Sequence, residues 1–107
     1  MAESVKQFFD ELEGKMDATK TAGMNCVYQF DIEGDNGGQW MVKLNDGTVE
    51  VSEGVDEAAN IKLTATDENW FAIVSGQING QTAFLTGKLK IQGDMSLAMK
   101  LQSIFAI

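Results

Sequence analysis

Sixteen carboxylates, eight lysines and one cysteine, Cys26, are the reactive side chains of this 107-residue chain, which contains neither histidine nor arginine. Without histidine, no side chain has an unperturbed pKa near neutral pH, and the commonest transition-metal ligand is missing. Without arginine there is no bidentate clamp for phosphate. No G-x-x-x-x-G-K-[ST], G-x-G-x-x-G or G-x-S-x-G segment occurs, so the glycine-rich phosphate cradles and the nucleophile elbow are absent. Asp, Glu, Lys and Ser remain as acids, bases or nucleophiles, but no spacing groups them. The sequence names no catalytic residue, no metal ligand and no cofactor.

Charge narrows the partners. A formal charge of −8 has the wrong sign for nucleic acid. It is unevenly distributed: residues 1–68 hold five lysines against fifteen acids, whereas residues 69–107 hold Lys88, Lys90 and Lys100 against Asp94 alone. That excess suits an anionic ligand head or a membrane surface. The plainer reading is solvated lysines around a buried strand and helix. One cysteine precludes an internal disulfide, in keeping with a reducing compartment. No apolar run approaches the roughly 18–20 residues that span a bilayer. Glu3, Asp10 and Glu11 do not resemble a signal peptide, and the expected location is cytoplasmic.

The elements that must position any site can be read in order. Val5, Phe8, Phe9, Leu12 and Met16 share one face of a helix over residues 4–17, opened by Ser4 and Gln7 as a capping box. Residues 17–25 read as a loop. Cys26, Tyr28, Phe30 and Ile32 then alternate with wetter neighbours, as do Trp40, Val42 and Leu44, and Val49 and Val51. Asp46-Gly47 is a hairpin signal. Ile61, Leu63 and Ala65 continue the period of two. Thr66 or Asp67 can cap a helix holding Trp70, Phe71, Ile73 and Val74 that ends at Gly76. A short helix over 80–86, a last strand around Leu89 and Ile91, and a long final helix capped by Asp94 complete the chain. This order predicts an α+β fold, an antiparallel sheet with helices gathered on one face.

The helices carry more large apolar side chains than one sheet face needs. In the final helix Leu97, Ala98, Leu101, Ile104 and Phe105 form the packing face, yet Met95 and Met99 lie beside it. The excess can serve core, subunit interface or ligand chamber. Methionine suits a chamber because its unbranched thioether repacks around ligands of varied shape. Pattern alone favours core.

From Ala59 onward the chain resembles the sterol carrier protein-2 (non-specific lipid transfer protein) family. The resemblance rests on Thr64-Ala65-Thr66-Asp67-Glu68-Asn69-Trp70 at a helix start and on Ser75-Gly76-Gln77-Ile78-Asn79 at a turn. It is densest from Ala83-Phe84 through Gly87-Lys88-Leu89-Lys90-Ile91-Gln92-Gly93-Asp94-Met95 to Leu97-Ala98-Met99-Lys100-Leu101. About two-fifths of the chain is covered at high specificity; the N-terminal half agrees in element order and in the strand at Trp40.

The resemblance implies a five-stranded, mostly antiparallel sheet of order 3-2-1-4-5, helices on one face and an apolar tunnel between the layers. It implies one sterol-carrier-type lipid-binding domain over 1–107, free-standing and not an enzyme. Its ligand would be a long-chain fatty acid, fatty acyl-CoA, sterol-like molecule or phospholipid, bound without covalent chemistry. The expected lining is Leu12, Met16, Trp70, Phe71, Val74, Phe84, Met95, Met99, Leu101 and Phe105. The chain would be a monomer or weak dimer, with transient membrane contact. The competing reading is an accessory module that docks on, or presents a lipid intermediate to, a lipid or quinone pathway enzyme.

Two positions depart from the family pattern. Gly80 stands where many relatives have proline, so the second short helix is expected to start loosely. The terminal Phe105-Ala106-Ile107 is not a peroxisomal tripeptide. A tunnel also has an energetic consequence. At roughly 24 cal/mol per Å3, an empty lipid-sized void of ~300 Å3 costs ~7 kcal/mol, comparable to the whole stability of a small domain, ~5–15 kcal/mol. Such a void is expected to be collapsed, wet or filled.

Overall fold

The computed structural model describes residues 5–16, 18–100 and 104. Helix α1 (Val5–Lys15) leads into a short helix α2 (Ala18–Thr21), then strands β1 (Asn25–Glu33), β2 (Gly38–Asn45), β3 (Thr48–Glu53) and β4 (Ile61–Thr66). Helices α3 (Asp67–Val74) and α4 (Gly80–Leu85), strand β5 (Lys90–Gly93) and helix α5 (Met95–Met99) follow. Among the described residues the five strands form one sheet of order β3-β2-β1-β4-β5. Pairing is antiparallel except between β1 and β4, which run parallel with Phe30 opposite Leu63. The fold is α+β, as the sequence predicts.

Local chemistry sets most boundaries. Asp46 and Gly47 both take positive φ, +46° and +89°, the conformation that a type I′ hairpin between β2 and β3 demands. Thr66 caps α3 by accepting from the Asn69 N–H at 3.2 Å. Asn79 caps α4, its Oδ1 accepting from the N–H groups of Gln81 at 2.7 Å and Thr82 at 3.4 Å. The start of α4 is thus held by its cap, with Gly80 at the first helical position and the next two N–H groups satisfied by Asn79. Asp94 caps α5 through the Ser96 N–H at 2.9 Å.

Register places Tyr28, Phe30, Ile32, Trp40, Val42, Leu44, Ile61, Leu63 and Ala65 on one face, all buried. Phe9 of α1 and Trp70 of α3 pack against Phe30 on that face, and Tyr28 reaches Leu97 of α5. The core is thus one layer between the sheet and these helices.

Three expectations need correction. Residues 17–25 are not simply loop: α2 lies within them, and Thr21 is fully buried. The opposite sheet face is not uniformly wet. Gln29 is only 2 % exposed, because the β3–β4 connection crosses it; its amide donates to the Gly54 carbonyl at 3.0 Å and accepts from the Asp56 N–H at 2.7 Å. The long final helix is interrupted. Lys100 closes α5 after five residues with an N–H bond to the Leu97 carbonyl at 3.2 Å, the tighter three-residue reach common at helix ends. Ile104, buried, resumes helical bonding to the Lys100 carbonyl. The capping residue Ser4 lies outside the described residues.

Candidate functional site

The interior is aromatic before it is aliphatic. Phe9 lies between two indoles, its ring 4.4 Å from Trp40 and 5.9 Å from Trp70, nearly parallel to both. Phe8 meets Trp70 edge-on at 5.7 Å, and Phe30 closes the cluster at 5.3 Å from Trp70. Such contacts contribute about 0.5–1.5 kcal/mol each beyond area burial. Each ring is presented by its element: Phe8 and Phe9 by the buried stripe of α1, Trp40 and Phe30 by strand alternation, Trp70 by the first turn of α3.

Two polar atoms sit unmatched in this cluster. The indole nitrogens of Trp40 and Trp70 are buried and, among the described residues, find no acceptor. Buried indole N–H groups usually have one. Next to Trp40 a cleft of about 230 Å3 opens between α1 and the β2–β3 edge, lined by Phe9, Asp10, Trp40, Val51, Ser52 and Glu53.

The residues expected to line a chamber divide. Leu12 and Trp70 are buried in the core, with Met16 and Val74 packed against it. Phe71 is half-buried. Phe84, Met95 and Met99 face outward, 38 %, 48 % and 82 % exposed. Leu101 and Phe105 lie outside the described residues. The structure therefore brings four of these side chains together and sets three apart. None of the eight described residues lines the cleft beside Trp40. Trp40 itself was legible as a core-face residue, and an indole on a core face carries an N–H that must be accounted for.

At the other end of the core the Tyr28 hydroxyl donates to the Leu97 carbonyl at 2.8 Å, tying β1 to α5. Burial, followed by the neighbouring Cys26 and Asp94, pushes the tyrosine pKa upward, so it stays a neutral donor. Burial also pushes the Cys26 thiol up, partly offset by Lys100. That leaves little thiolate at neutral pH and makes Cys26 a half-buried hydrophobe rather than a nucleophile. The Ser96 hydroxyl and N–H hold the Asp94 carboxyl below its usual value. Among the described residues no group of three acidic or cysteine side chains is placed to hold a metal. No helix there is long and apolar enough to cross a membrane.

Comparison with known proteins accords with this architecture. The chain is 37 % identical over 97 residues to sterol carrier protein 2 of Bos taurus, covering 88 % of this chain and 17 % of that protein. The chain thus spans about a sixth of the length of that relative. Among solved structures, palmitated SCP2L2 from Aedes aegypti superimposes with a TM-score of 0.79 at 25 % identity, covering 97 % of this chain and 96 % of that one. Sterol carrier protein-2 from Aedes aegypti in complex with palmitate gives a TM-score of 0.64 at 26 % identity, over 92 % and 94 % of the two chains. The SCP-2 sterol transfer family model matches residues 5–106, and the chain belongs to that family.

Proposed function

We propose that this chain, as one domain over residues 1–107, binds and transfers lipid in an apolar tunnel between sheet and helices, without covalent chemistry. A long-chain fatty acid or fatty acyl-CoA is the favoured ligand; sterol-like molecules and phospholipids fit the same apolar chemistry. The observation that carries this reading is the fold shared with palmitate-bound relatives. The interior adds support. The core is apolar, and among the described residues the Trp40 and Trp70 N–H groups have no acceptor, which a carboxylate or hydroxyl of a lipid can provide. Leu12, Met16, Trp70 and Val74 are the proposed inner contacts; Phe71, Phe84, Met95, Met99, Leu101 and Phe105 would join them when the outer helices close over a ligand. The chain would act in the cytoplasm as a monomer or weak dimer.

Mass spectrometry under native and then denaturing conditions tests the proposal directly. A recurrent mass difference equal to a fatty acid is expected. Titration with palmitate should also change the emission of the two buried indoles. If palmitate, palmitoyl-CoA and cholesterol all leave emission and melting temperature unchanged, the carrier reading fails. The alternative, an accessory module docking on a lipid-pathway enzyme, draws on the outward-facing Phe84, Met95 and Met99.

A further inference from the structure

Of the rings in the aromatic cluster, Phe9 and Trp40 also border the cleft between α1 and the β2–β3 edge. Trp40 is fixed by its own strand: a Cβ at Gly38 would lie 2.7 Å from the indole, so the ring rests directly on backbone. Trp70 is fully buried and meets Phe8, Phe9 and Phe30. Phe9 stands between the two indoles, its ring 4.4 and 5.9 Å from theirs and tilted by only 10° and 6°. It is carried by α1, which lies outside the sheet and packs on β3 and α3.

This wedge has two consequences. It fills, with the chain's own side chain, part of the layer between sheet and helices, where a void would be costly. It also leaves the Trp40 and Trp70 N–H groups buried without an acceptor among the described residues. That weakens the closed packing relative to one in which a ligand oxygen meets them. The ring has somewhere else to go. The cleft it borders measures about 230 Å3, whereas a cavity of about 150 Å3 is enough to hold benzene. Of the three rings, the helix-borne one is therefore the one free to turn, by a change of side-chain rotamer.

We propose that Phe9 is the gate of the lipid chamber. In the empty chain its ring takes the place of an acyl chain between Trp40 and Trp70, and it turns into the α1–β3 cleft when lipid enters. The inference rests on the carrier reading and adds to it a residue that sets affinity and rate of entry. Lipid and ring compete for one space, so the apparent affinity is the intrinsic one reduced by the fraction of chains with the ring turned out.

The test measures palmitate binding to the full chain by calorimetry and by stopped-flow indole emission. Phe9→Ala should bind about tenfold more tightly and associate faster, the gain expected if about one chain in ten is open, although its melting temperature without lipid falls. Phe8→Ala deletes an equal ring from the same core, away from the cleft, and should show no such gain. Glu53 pairs with Trp40 and also lines the cleft. Glu53→Phe fills the space the gate needs and should slow association, an effect that vanishes in combination with Phe9→Ala. Glu53→Gln removes the charge but not the room, and should stay near wild type. Circular dichroism melting checks folding, and Phe9→Leu gives the same direction of change should Phe9→Ala not fold. Palmitate bound by Phe9→Ala and not by wild type would show a gate shut at rest. Wild-type binding with no gain in the folded Phe9 variants, or with an equal gain in Phe8→Ala, overturns the gate and leaves carriage standing. Binding by neither removes the carrier reading and the gate with it.

Discussion

The Tyr28 hydroxyl spans the core to the Leu97 carbonyl, so removing it takes away one hydrogen bond and leaves the Lys100 N–H as that carbonyl's remaining donor. Tyr28→Phe is expected to lower stability by about 0.5–1.5 kcal/mol in urea denaturation. The pH dependence follows from the raised tyrosine pKa. Below the unfolded value of about 10, both states keep the proton and the contribution is whole. As pH rises above it, the unfolded chain loses its proton while the folded one does not, and stability falls. Wild type and Tyr28→Phe should therefore converge in alkali; parallel curves would contradict the assignment. Gly93 makes a second residue-scale case. Its φ is +115°, and a methyl group there would run into the Asn60 carbonyl. Gly93→Ala should cost about 1–3 kcal/mol, read as a lower melting temperature.

At the scale of elements, α5 is short enough that its cap matters. Asp94 accepts from the first turn, and its carboxyl is held below the ordinary range by Ser96. Its contribution is present at neutral pH, above the unfolded carboxyl pKa, and is lost as pH falls below about 4. Asp94→Ala should lower the melting temperature at pH 7 and lose that deficit in acid. A deficit independent of pH would mean that the carboxylate is not the capping group. Helix α3 differs in that its hold is tertiary: Trp70 is enclosed by Phe8, Phe9 and Phe30. Trp70→Ala should cost about 3–5 kcal/mol, whereas Trp70→Phe should keep the fold and remove an unmatched N–H. A palmitate affinity reduced in Trp70→Phe, at unchanged stability, would mark that N–H as a ligand donor.

For the molecule as a whole, the carrier reading couples ligand to stability. A lipid that binds only the folded state raises its stability in proportion to the logarithm of its concentration over Kd, about 2.7 kcal/mol at a hundredfold excess. Stripping lipid should lower the melting temperature, and palmitate should restore it. Calorimetry of stripped and reloaded protein decides this, and a melting temperature indifferent to lipid would sink the coupling.

The sequence by itself determined the local structure and the missing chemistries. Asp46-Gly47, Thr66, Asn79 and Asp94 act on backbone groups within three residues, so turns and caps are legible without the rest of the chain. Alternation likewise names the core face of each strand, because the pleat has a period of two. The absence of histidine and arginine was final on inspection. Motifs from Thr64 to Leu101 carried the family, and with it the strand order that periodicity does not contain.

Tertiary structure decided what remote segments do to one another. Gln29 reads as a surface residue, yet Gly54 and Asp56 cross over it. Trp40 and Trp70 become partners only because α1 inserts Phe9 between them. Met95 and Met99 were the clearest excess of apolar surface in the sequence, and the fold turns them outward. Helical periodicity fixes which side chains share a face; only packing against distant chain decides whether that face meets core or surroundings.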